Sequence, residues 1–291
     1  MKKYLNPLLL LLAALLWGIS FSFQSIGGKA AGPLTFNAAR CFTGVLALLP
    51  AVKLMYGSLK PDRDTLKGGI MCGICVAIAT NLQQVGIIYT SPGKAGFITA
   101  AYMIIVAVIS LFTGKMEAKR VLIAVVLGTV GLYFICITEK ENLTVNEGDL
   151  LCLLCSLFFA VQILIIDSYG DRIQPVKMCA VQFLTAGILT LIPAFIMETP
   201  DITSFSGCLL PLLYVGIVST GAAYSLQMLG MRGTDPSVAS LIMSLESVFS
   251  VLGEWVILGS TLSNRVLFGC ALMFAAITVS QINPKGERKN A

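Results

Sequence analysis

The sequence has no histidine and few charged residues. Of its 291 residues none is His, and Asp, Glu, Lys and Arg together make up 12%, where a soluble domain has about 25%. The lack of His excludes mixed Cys/His zinc sites, His-dependent triads and the H-E-x-x-H motif. The chain also lacks a G-x-S-x-G elbow and the paired aspartates of headgroup transferases. We therefore expect no enzyme activity and no cofactor.

Apolar residues make up 56% of the chain, and its mean hydropathy is +0.86. Such a small share of charges cannot cover so apolar a core in water, so the natural solvent is a lipid bilayer. The nine cysteines lie within apolar runs, where Cys packs as a small hydrophobic residue. The net charge of +5 is scattered over short loops, without a basic stripe interleaved with aromatic residues. We predict neither a metal site nor a nucleic-acid partner.

Ten apolar segments are long enough to cross a membrane, which takes about 20 residues in a helix. Helices are expected because open strands cannot satisfy their backbone groups in lipid. The first segment follows "MKK", but its apolar run from Leu8 to Phe23 is too long for a signal peptide, so we interpret it as a retained helix. The predicted spans are 5–27, 33–54, 67–89, 93–113, 119–137, 149–168, 176–196, 207–229, 236–258 and 265–282.

The lysines and arginines of the short loops predict the orientation, because cytoplasmic loops are enriched in both. With a cytoplasmic N-terminus, fifteen of them fall inside and only four fall outside, while Arg40 lies within a span. The four outside are Lys29, Lys94, Lys140 and Arg265. We predict a multi-pass protein of the cytoplasmic membrane with both termini in the cytoplasm.

One sequence unit occurs twice. "NLQQVGIIYTSPGKAGFI" starts at Asn81, and "SLQMLGMRGTDPSVASLI" starts 144 residues later at Ser225. The unit contains five predicted helices, an odd number, so its second copy enters the membrane from the other side. We predict two inverted five-helix repeats, 1–140 and 141–291, around a central cavity, as in many secondary transporters. The alternative is a duplication without any role in transport. The identical pairs are Leu82/Leu226, Gln83/Gln227, Gly86/Gly230, Thr90/Thr234, Pro92/Pro236, Ala95/Ala239 and Ile98/Ile242.

Three charged residues stand out inside predicted spans rather than at their first or last residues, and a charge at the middle of a span costs about 2.5–3.5 kcal/mol. Glu246 is near the centre of its span, with Ser250 and Gly253 on the same helix face. Removal from water favours the protonated form of a carboxyl, so Glu246 is a candidate proton carrier. A structural ion pair or an interhelical hydrogen bond are the alternatives. Arg40 can meet a substrate carboxylate, pair with Glu246 or Glu254, or bond to backbone carbonyls. Glu254, near the outer end, favours an interfacial or gating pair.

Polar and aromatic side chains on other predicted helices complete the candidate site. Tyr102 corresponds to Glu246 under the 144-residue offset. Gln83 and Gln227 are expected to tie helices together rather than to bind substrate. Gly69 and Gly73 form a GxxxG motif that permits close helix packing within a monomer or between monomers, so the protein is a monomer or a homodimer. The predicted substrate-binding residues are Trp17, Arg40, Asn81, Tyr102, Tyr224 and Glu246.

Three stretches resemble the EamA-type members of the drug/metabolite transporter superfamily. They are "LLWGISFSFQSIG", "GIIYTSPGKAGFITAAYMIIVAVISLFTGK" and "LIMSLESVFSVLGEWVILGSTLSNRVLFGCALMFAAI". The resemblance covers residues 8 to 282 and implies ten helices in two inverted repeats, with export of amino acids or related metabolites. The family's "L-E-x-V" acid matches Glu246. Ser247 stands where many members have Pro, and Ser260 stands where many have an acid, which Glu254 is a candidate to replace.

These features predict a secondary-active exporter of small metabolites that works by alternating access. Protons are the candidate coupling ion, through Glu246, and the lipid bilayer is the surrounding solvent. Other classes stay open: a passive channel or lipid scramblase, a membrane sensor without transport, or an intramembrane enzyme. Saturable flux with exchange distinguishes a carrier from a channel.

Overall fold

In the computed structural model, residues 2–112, 118–136, 146–261 and 263–281 are described, and this part of the chain is almost entirely helical, without a strand. Its first half contains six α-helices, with one interruption between α4 and α5. They are α1 (Lys2–Ala31), α2 (Pro33–Tyr56), α3 (Arg63–Tyr89), α4 (Pro92–Thr99), α5 (Tyr102–Phe112) and α6 (Ala118–Cys136).

The second half repeats this order with shorter pieces. Two 3₁₀-helices lie in its connections: a single turn, Gly170–Arg172, and a two-turn segment, Ile202–Gly207. A π-helix, Tyr214–Ala223, separates α9 from α10. The α-helices are α7 (Glu147–Tyr169), α8 (Pro175–Met197), α9 (Leu209–Leu213), α10 (Tyr224–Gly230), α11 (Pro236–Met243), α12 (Glu246–Leu258) and α13 (Asn264–Gln281).

Eight of the predicted spans coincide with helical stretches that are long and apolar enough to cross a membrane, and these alone make the protein a multi-pass membrane protein. The remaining predictions, 119–137 and 265–282, fall on α6 and α13, whose described apolar stretches are shorter. The predicted repeat boundary at 140/141 and the basic tail after 281 lie outside the described residues.

Several helices begin where the sequence supplies a capping residue. The side chains of Asp62, Ser91, Asn146 and Asp235 each accept a hydrogen bond from a backbone N–H in the first turn of the following helix. Such caps satisfy backbone donors that have no partner within the helix. The amide of Thr65 holds the pKa of Asp62 below its usual range. These local signals explain why the loops "KPDRD", "TSPGK" and "GTDPS" start helices.

The GxxxG motif packs inside the monomer. A Cβ added to Gly69 would lie 2.7 Å from the Cβ of Val181, and one added to Gly73 would lie 2.5 Å from the Cβ of Thr185. Each step of four residues along α3 is therefore matched by four along α8, so the two helices run parallel in close backbone contact. The two glycines serve this crossing between α3 and α8, where only a hydrogen atom fits.

A second parallel pair joins α2 to the π-helix. A Cβ on Gly44 would lie 2.6 Å from Thr220 Cγ2, and one on Gly216 would lie 3.2 Å from the carbonyl oxygen of Arg40. Under the 144-residue offset, α2 corresponds to α8 and the π-helix corresponds to α3. The parallel pair α3/α8 thus has an equivalent in the pair of α2 and the π-helix.

An antiparallel helix pair in one half of the repeat also has a corresponding pair in the other: α3 packs on α7, and α10 packs on α1. Gly86 on α3 packs on Cys152 near the start of α7, and the Cys72 thiol lies 3.9 Å from the carbonyl oxygen of Gln162 further along that helix. In the equivalent pair, Gly230 packs on Leu10 near the start of α1. Gly86 and Gly230 are identical positions of the sequence repeat, and each lets the first helix of the other half approach its backbone.

The loops predicted to be outside lie at one end of the helix bundle, and the loops predicted to be cytoplasmic lie at the other end. At one end Lys94 forms an ion pair with Asp149 at 2.7 Å, and Glu198 accepts hydrogen bonds from the first turn of α2. At the other end Lys177 donates to the carbonyl of Lys60 at 3.0 Å. The first group lies in loops predicted to be outside, and the second lies in loops predicted to be inside. Which end faces the cytoplasm stays a prediction.

Candidate functional site

A cavity lies between the helices of both halves. Sites for small molecules combine apolar walls with a few polar groups that fix the orientation of the ligand. This cavity has that character, since aromatic rings, amides, hydroxyls and two ionisable side chains face it. Its lining residues are Trp17, Ser20, Phe21, Gln24, Arg40, Gln83, Thr99, Tyr102, Phe159, Gln162, Ile163, Ser219, Tyr224, Gln227, Met243 and Glu246.

Two broken helices meet at the cavity. The helical pattern stops at residues 100–101 between α4 and α5, and at residues 244–245 between α11 and α12. In both turns a backbone N–H bonds to a carbonyl three residues earlier, Ala101 to Ile98 at 3.1 Å and Leu245 to Ile242 at 3.2 Å. The tighter turn rotates the helix that follows it. Tyr102 begins α5 and Glu246 begins α12, so the two equivalent breaks present these side chains to one space.

The carboxyl of Glu246 is buried without a full set of partners. The residue is 5% exposed, and its Oε1 makes no hydrogen bond to any described residue. The Tyr102 hydroxyl faces this carboxyl, but the two groups do not meet the geometry of a hydrogen bond, and the hydroxyl is also unpartnered in the described part of the chain. Buried polar atoms without partners are rare and costly. The two facing groups therefore lack a full set of hydrogen-bond partners in the described part of the chain.

Arg40 is buried in the same cavity wall. It is 2% exposed, and its Nε donates a hydrogen bond to Asn37 Oδ1 at 2.6 Å. Among the described residues no carboxylate lies within 4.0 Å of the guanidinium, so it forms no ion pair with Glu246 or Glu254 there. The ion pairs considered for Arg40 from the sequence are therefore not formed among the described residues, and its contact with a substrate stays a prediction.

Asn81 lies behind the cavity wall rather than in it. Its Oδ1 accepts hydrogen bonds from Asn37 Nδ2 and from Thr190 Oγ1, the latter at 3.1 Å. Asn81 thus joins α2, α3 and α8 next to the residue that holds Arg40. Direct contact of Asn81 with a substrate stays a prediction from the sequence, and its position is that of a supporting residue.

Aromatic rings line one side of the cavity. The ring of Tyr224 packs edge-on against Trp17 and against Phe183, each at a centroid distance of 4.7 Å. The indole Nε1 of Trp17 donates to the carbonyl of Ser219 at 3.2 Å. Ser219 belongs to the π-helix, and π-helical turns are frequent at functional sites. The π-helix therefore positions both a carbonyl that holds Trp17 and the start of the helix that carries Tyr224.

An amide cluster was missed by the sequence analysis. Gln162 on α7 exchanges hydrogen bonds of 3.2 Å with Gln227 and also donates to Gln182 at 3.2 Å. Gln227 and Gln83 do tie helices together, the latter through Thr99 at 3.2 Å, but both also line the cavity. The signal for Gln162 was present, since it is the one amide in the run from 150 to 166, whose other residues are apolar apart from Ser156.

Glu254 connects two helices near one end of the bundle. Its Oε2 accepts a hydrogen bond from the backbone N–H of Gly93 at 2.7 Å, which joins α12 to the start of α4. It does not line the cavity. This position fits the interfacial or gating contact expected from the sequence rather than contact with a substrate.

Known proteins share the sequence over most of its length. A protein of Archaeoglobus fulgidus named "Uncharacterized transporter" is 31% identical over 279 residues, which is 96% of this chain and 86% of that protein. The "Uncharacterized transporter YoaV" of Bacillus subtilis is 24% identical, covering 90% of this chain and 92% of its own length. A solved structure titled "Crystal structure of protein" has the same fold, with a TM-score of 0.79 at 18% identity over 95% of this chain and 98% of that one.

The family comparison agrees with the architecture. The model of the EamA-like transporter family matches twice, at residues 6–137 and at residues 146–281. Together these two matches cover nearly the whole chain, and each contains one of the two broken helices at the cavity. On this match, the multi-pass helical fold and the transporter names of its relatives, the protein belongs to the EamA-like transporter family.

Proposed function

We propose that the protein is a secondary-active carrier that exports a small metabolite by alternating access, with amino acids and related compounds as the first substrates to test. The observation that carries this proposal is the meeting of two equivalent broken helices at one polar cavity. Secondary transporters place their substrate sites at such discontinuous helices, between two repeats. Tyr102 and Glu246, at the two breaks, are unpartnered there and can respond to a bound molecule.

The carrier is built from ten membrane helices in two inverted repeats, residues 1–140 and 141–291. Helix boundaries support this, since α2, α8 and the other equivalent helices begin within a few residues of the 144-residue offset. The paired packing of helices supports it too, because the contacts of α3 with α8 and with α7 have exchanged equivalents in the contacts of α2 with the π-helix and of α1 with α10. Two successive matches to the family model, 6–137 and 146–281, agree with two copies.

Inversion follows from the odd number of helices in each copy. A five-helix unit ends on the opposite side of the membrane from its start, so the second copy runs upside down. The two copies can then exchange conformations, which opens the cavity first to one side and then to the other. The protein lies in the cytoplasmic membrane with both termini inside. A reporter that is active only in the cytoplasm, fused to the C-terminus, tests that orientation.

The cavity residues have two roles in transport, substrate contact and proton binding. Trp17, Arg40, Tyr102 and Tyr224 contact the substrate, and Glu246 binds and releases the coupling proton. Glu246 is suited to this because it is a buried acid that lines the cavity and has no cationic partner in the described structure. Asn81 acts on the site through Asn37.

Reconstituted liposomes test the proposal. Radiolabelled amino acids and small metabolites are offered with and without an imposed pH gradient, and saturable, gradient-dependent uptake is expected for one compound class. Glu246→Gln is expected to abolish transport or its gradient dependence while the purified protein keeps its melting temperature. Glu147→Gln is the matched control, since it changes an exposed acid in the first turn of α7, outside the cavity. Normal gradient-coupled transport by Glu246→Gln would remove the proton role.

Flux measurements separate the competing classes. A passive channel or a lipid scramblase gives flux that does not saturate and shows no exchange, and dye-labelled lipids report scrambling directly. A sensor gives binding without flux. Either result, in protein shown to be folded, would refute the carrier function itself.

A further inference from the structure

We infer that Arg40 is an anion-binding subsite of the cavity, so that the transported molecule carries a carboxylate or a comparable oxyanion. This inference rests on the proposed carrier function and narrows its substrate class. It also assigns Asn37, a residue outside the cavity lining, the role of positioning the guanidinium.

The charge of Arg40 is permanent and has no counter-ion in the described structure. A guanidinium stays protonated in proteins, so burial cannot be relieved by loss of a proton. Arg40 is 2% exposed, and no described carboxylate lies within 4.0 Å of it. A buried ion without a partner is destabilised, and an added opposite charge removes that penalty. The attraction between Arg40 and an anionic ligand therefore contributes more binding free energy at this buried position than the same pair would contribute in water.

One edge of the guanidinium is already held. Nε donates to Asn37 Oδ1 at 2.6 Å, while the two terminal nitrogens make no hydrogen bond to a described residue. Arg40 is one of the cavity-lining residues, so these terminal nitrogens are the groups that a ligand can reach. Two parallel N–H donors match the two oxygens of a carboxylate or an oxyanion, which is the strongest hydrogen-bonding geometry of arginine.

Asn37 is itself fixed by a network from three helices. Its Nδ2 donates to Thr80 Oγ1 at 3.0 Å and to Asn81 Oδ1, and Asn81 accepts from Thr190 Oγ1 at 3.1 Å. Asn37 has no exposed surface. Residues whose own orientation is locked by a supporting layer hold a binding group in place before the ligand arrives. The network thus presents Arg40 as a preformed receptor rather than as a mobile surface charge.

The rest of the cavity fits a molecule with an anionic end and a second polar or apolar end. Tyr224 lines the cavity together with Arg40 and Glu246. Trp17 packs on Tyr224 at 4.7 Å and lines the same side. A cationic group placed beside Arg40 would meet an unpaired guanidinium, so the Arg40 end of the cavity disfavours the cationic part of a substrate.

Tryptophan fluorescence measures binding to this site directly. The chain has two tryptophans, Trp17 in the cavity and Trp255, which is 48% exposed on α12. In a Trp255→Phe background the emission reports Trp17 alone. The probes are alanine, leucine and phenylalanine, each with its carboxamide and with the amine that lacks the carboxyl group. Saturable quenching is expected for at least one acid, with affinity at least tenfold weaker for its carboxamide and amine.

Substitutions then locate the charge that matters. Arg40→Lys keeps a positive charge but loses the two parallel N–H donors of the guanidinium. Arg40→Gln loses both the charge and the paired donors. Each variant is expected to weaken binding of the acid at least tenfold. Asn37→Asp supplies an internal counter-ion beside Nε but removes the donors to Thr80 and Asn81, so it is expected to lower the melting temperature and to weaken acid binding at least tenfold in the folded protein. If Arg40 were only structural, Asn37→Asp would leave the affinity unchanged. Arg172→Gln, at a loop outside the cavity, is the control.

The outcomes separate this inference from the carrier function. Equal affinity for acid and carboxamide, unchanged binding by Asn37→Asp, or no quenching by any probe in folded protein would each overturn the anion subsite. Saturable transport of a neutral or cationic compound, undisturbed by Arg40→Gln, would overturn the subsite and leave the carrier intact. Absence of saturable transport for every compound, despite acid-selective binding, would overturn the carrier and leave the subsite.

Discussion

Adding one methyl group at Gly18 tests the packing that shapes the cavity. A Cβ at Gly18 would lie 2.3 Å from Phe249 Cβ, 2.8 Å from the backbone carbon of Phe249 and 2.7 Å from the carbonyl oxygen of Glu246. Carbon atoms in contact stay roughly 3.5–4.0 Å apart. In Gly18→Ala, α1 and α12 must therefore move apart by on the order of 1 Å beside the cavity.

The cost of this separation has two parts. Overpacking of a dense interior costs about 1–3 kcal/mol, so the melting temperature of the detergent-purified protein is expected to fall by roughly 3–10 °C. The shift also displaces Trp17 relative to Glu246, and misplacement of about 1 Å can change a rate by on the order of a hundredfold. Transport by Gly18→Ala is therefore expected to fall at least tenfold.

Two further variants control for the effect of Gly18→Ala. Gly207→Ala has no atom within 4 Å of the added carbon, so it controls for the substitution itself and should leave melting and transport unchanged. Phe249→Ala should not rescue Gly18→Ala, because the clash involves the Cβ and backbone of Phe249 and these remain. If Gly18→Ala melts and transports like the parent protein, the close crossing of α1 and α12 is wrong.

Three further changes test other contacts. Trp17→Phe keeps a ring but loses the donor to Ser219 at 3.2 Å, so transport assays should show a higher KM with an unchanged melting temperature. Glu198→Ala removes the acceptor at the first turn of α2, and calorimetry should show a loss of about 1 kcal/mol, with Glu198→Gln retaining part of it. Asp62 has a lowered pKa because the Thr65 amide stabilises its carboxylate; its stabilisation is present above the unfolded pKa of about 3.9 and disappears as the pH falls through the folded value. The difference in melting temperature between the parent and Asp62→Ala should therefore shrink from pH 7 towards pH 3, and an equal difference at both would contradict this.

Some of the site was predictable from the sequence. A polar or aromatic residue within a long apolar run must avoid lipid, and this rule placed Trp17, Arg40, Tyr102, Tyr224 and Glu246 on the predicted site; all five line the cavity. Whether each of them binds substrate stays a prediction. The equivalence of Tyr102 and Glu246 was visible as a repeat offset, because duplicated sequence preserves position along a helix.

Other parts of the site were not visible in the sequence. The breaks at 100–101 and 244–245 contain neither Pro nor Gly, so nothing local marks them. The π-helix at Tyr214–Ala223 has no counterpart in α3, although the two segments occupy equivalent places in the repeat. Backbone distortions of this kind depend on what packs around a helix, and the sequence of the helix alone does not contain that information.

The sequence by itself determined the solvent of this protein, most of its membrane spans and the existence of a repeat. These follow from the lengths of apolar runs and from their order, which are properties of the chain before it folds. Only the tertiary structure decided that Arg40 has no acidic partner among the described residues, that Asn81 stands behind Asn37 and that Gln162 completes the cavity. Such pairings depend on the rotation and register of packed helices. Close contacts between backbones set both, and those contacts exist only when the whole bundle has assembled.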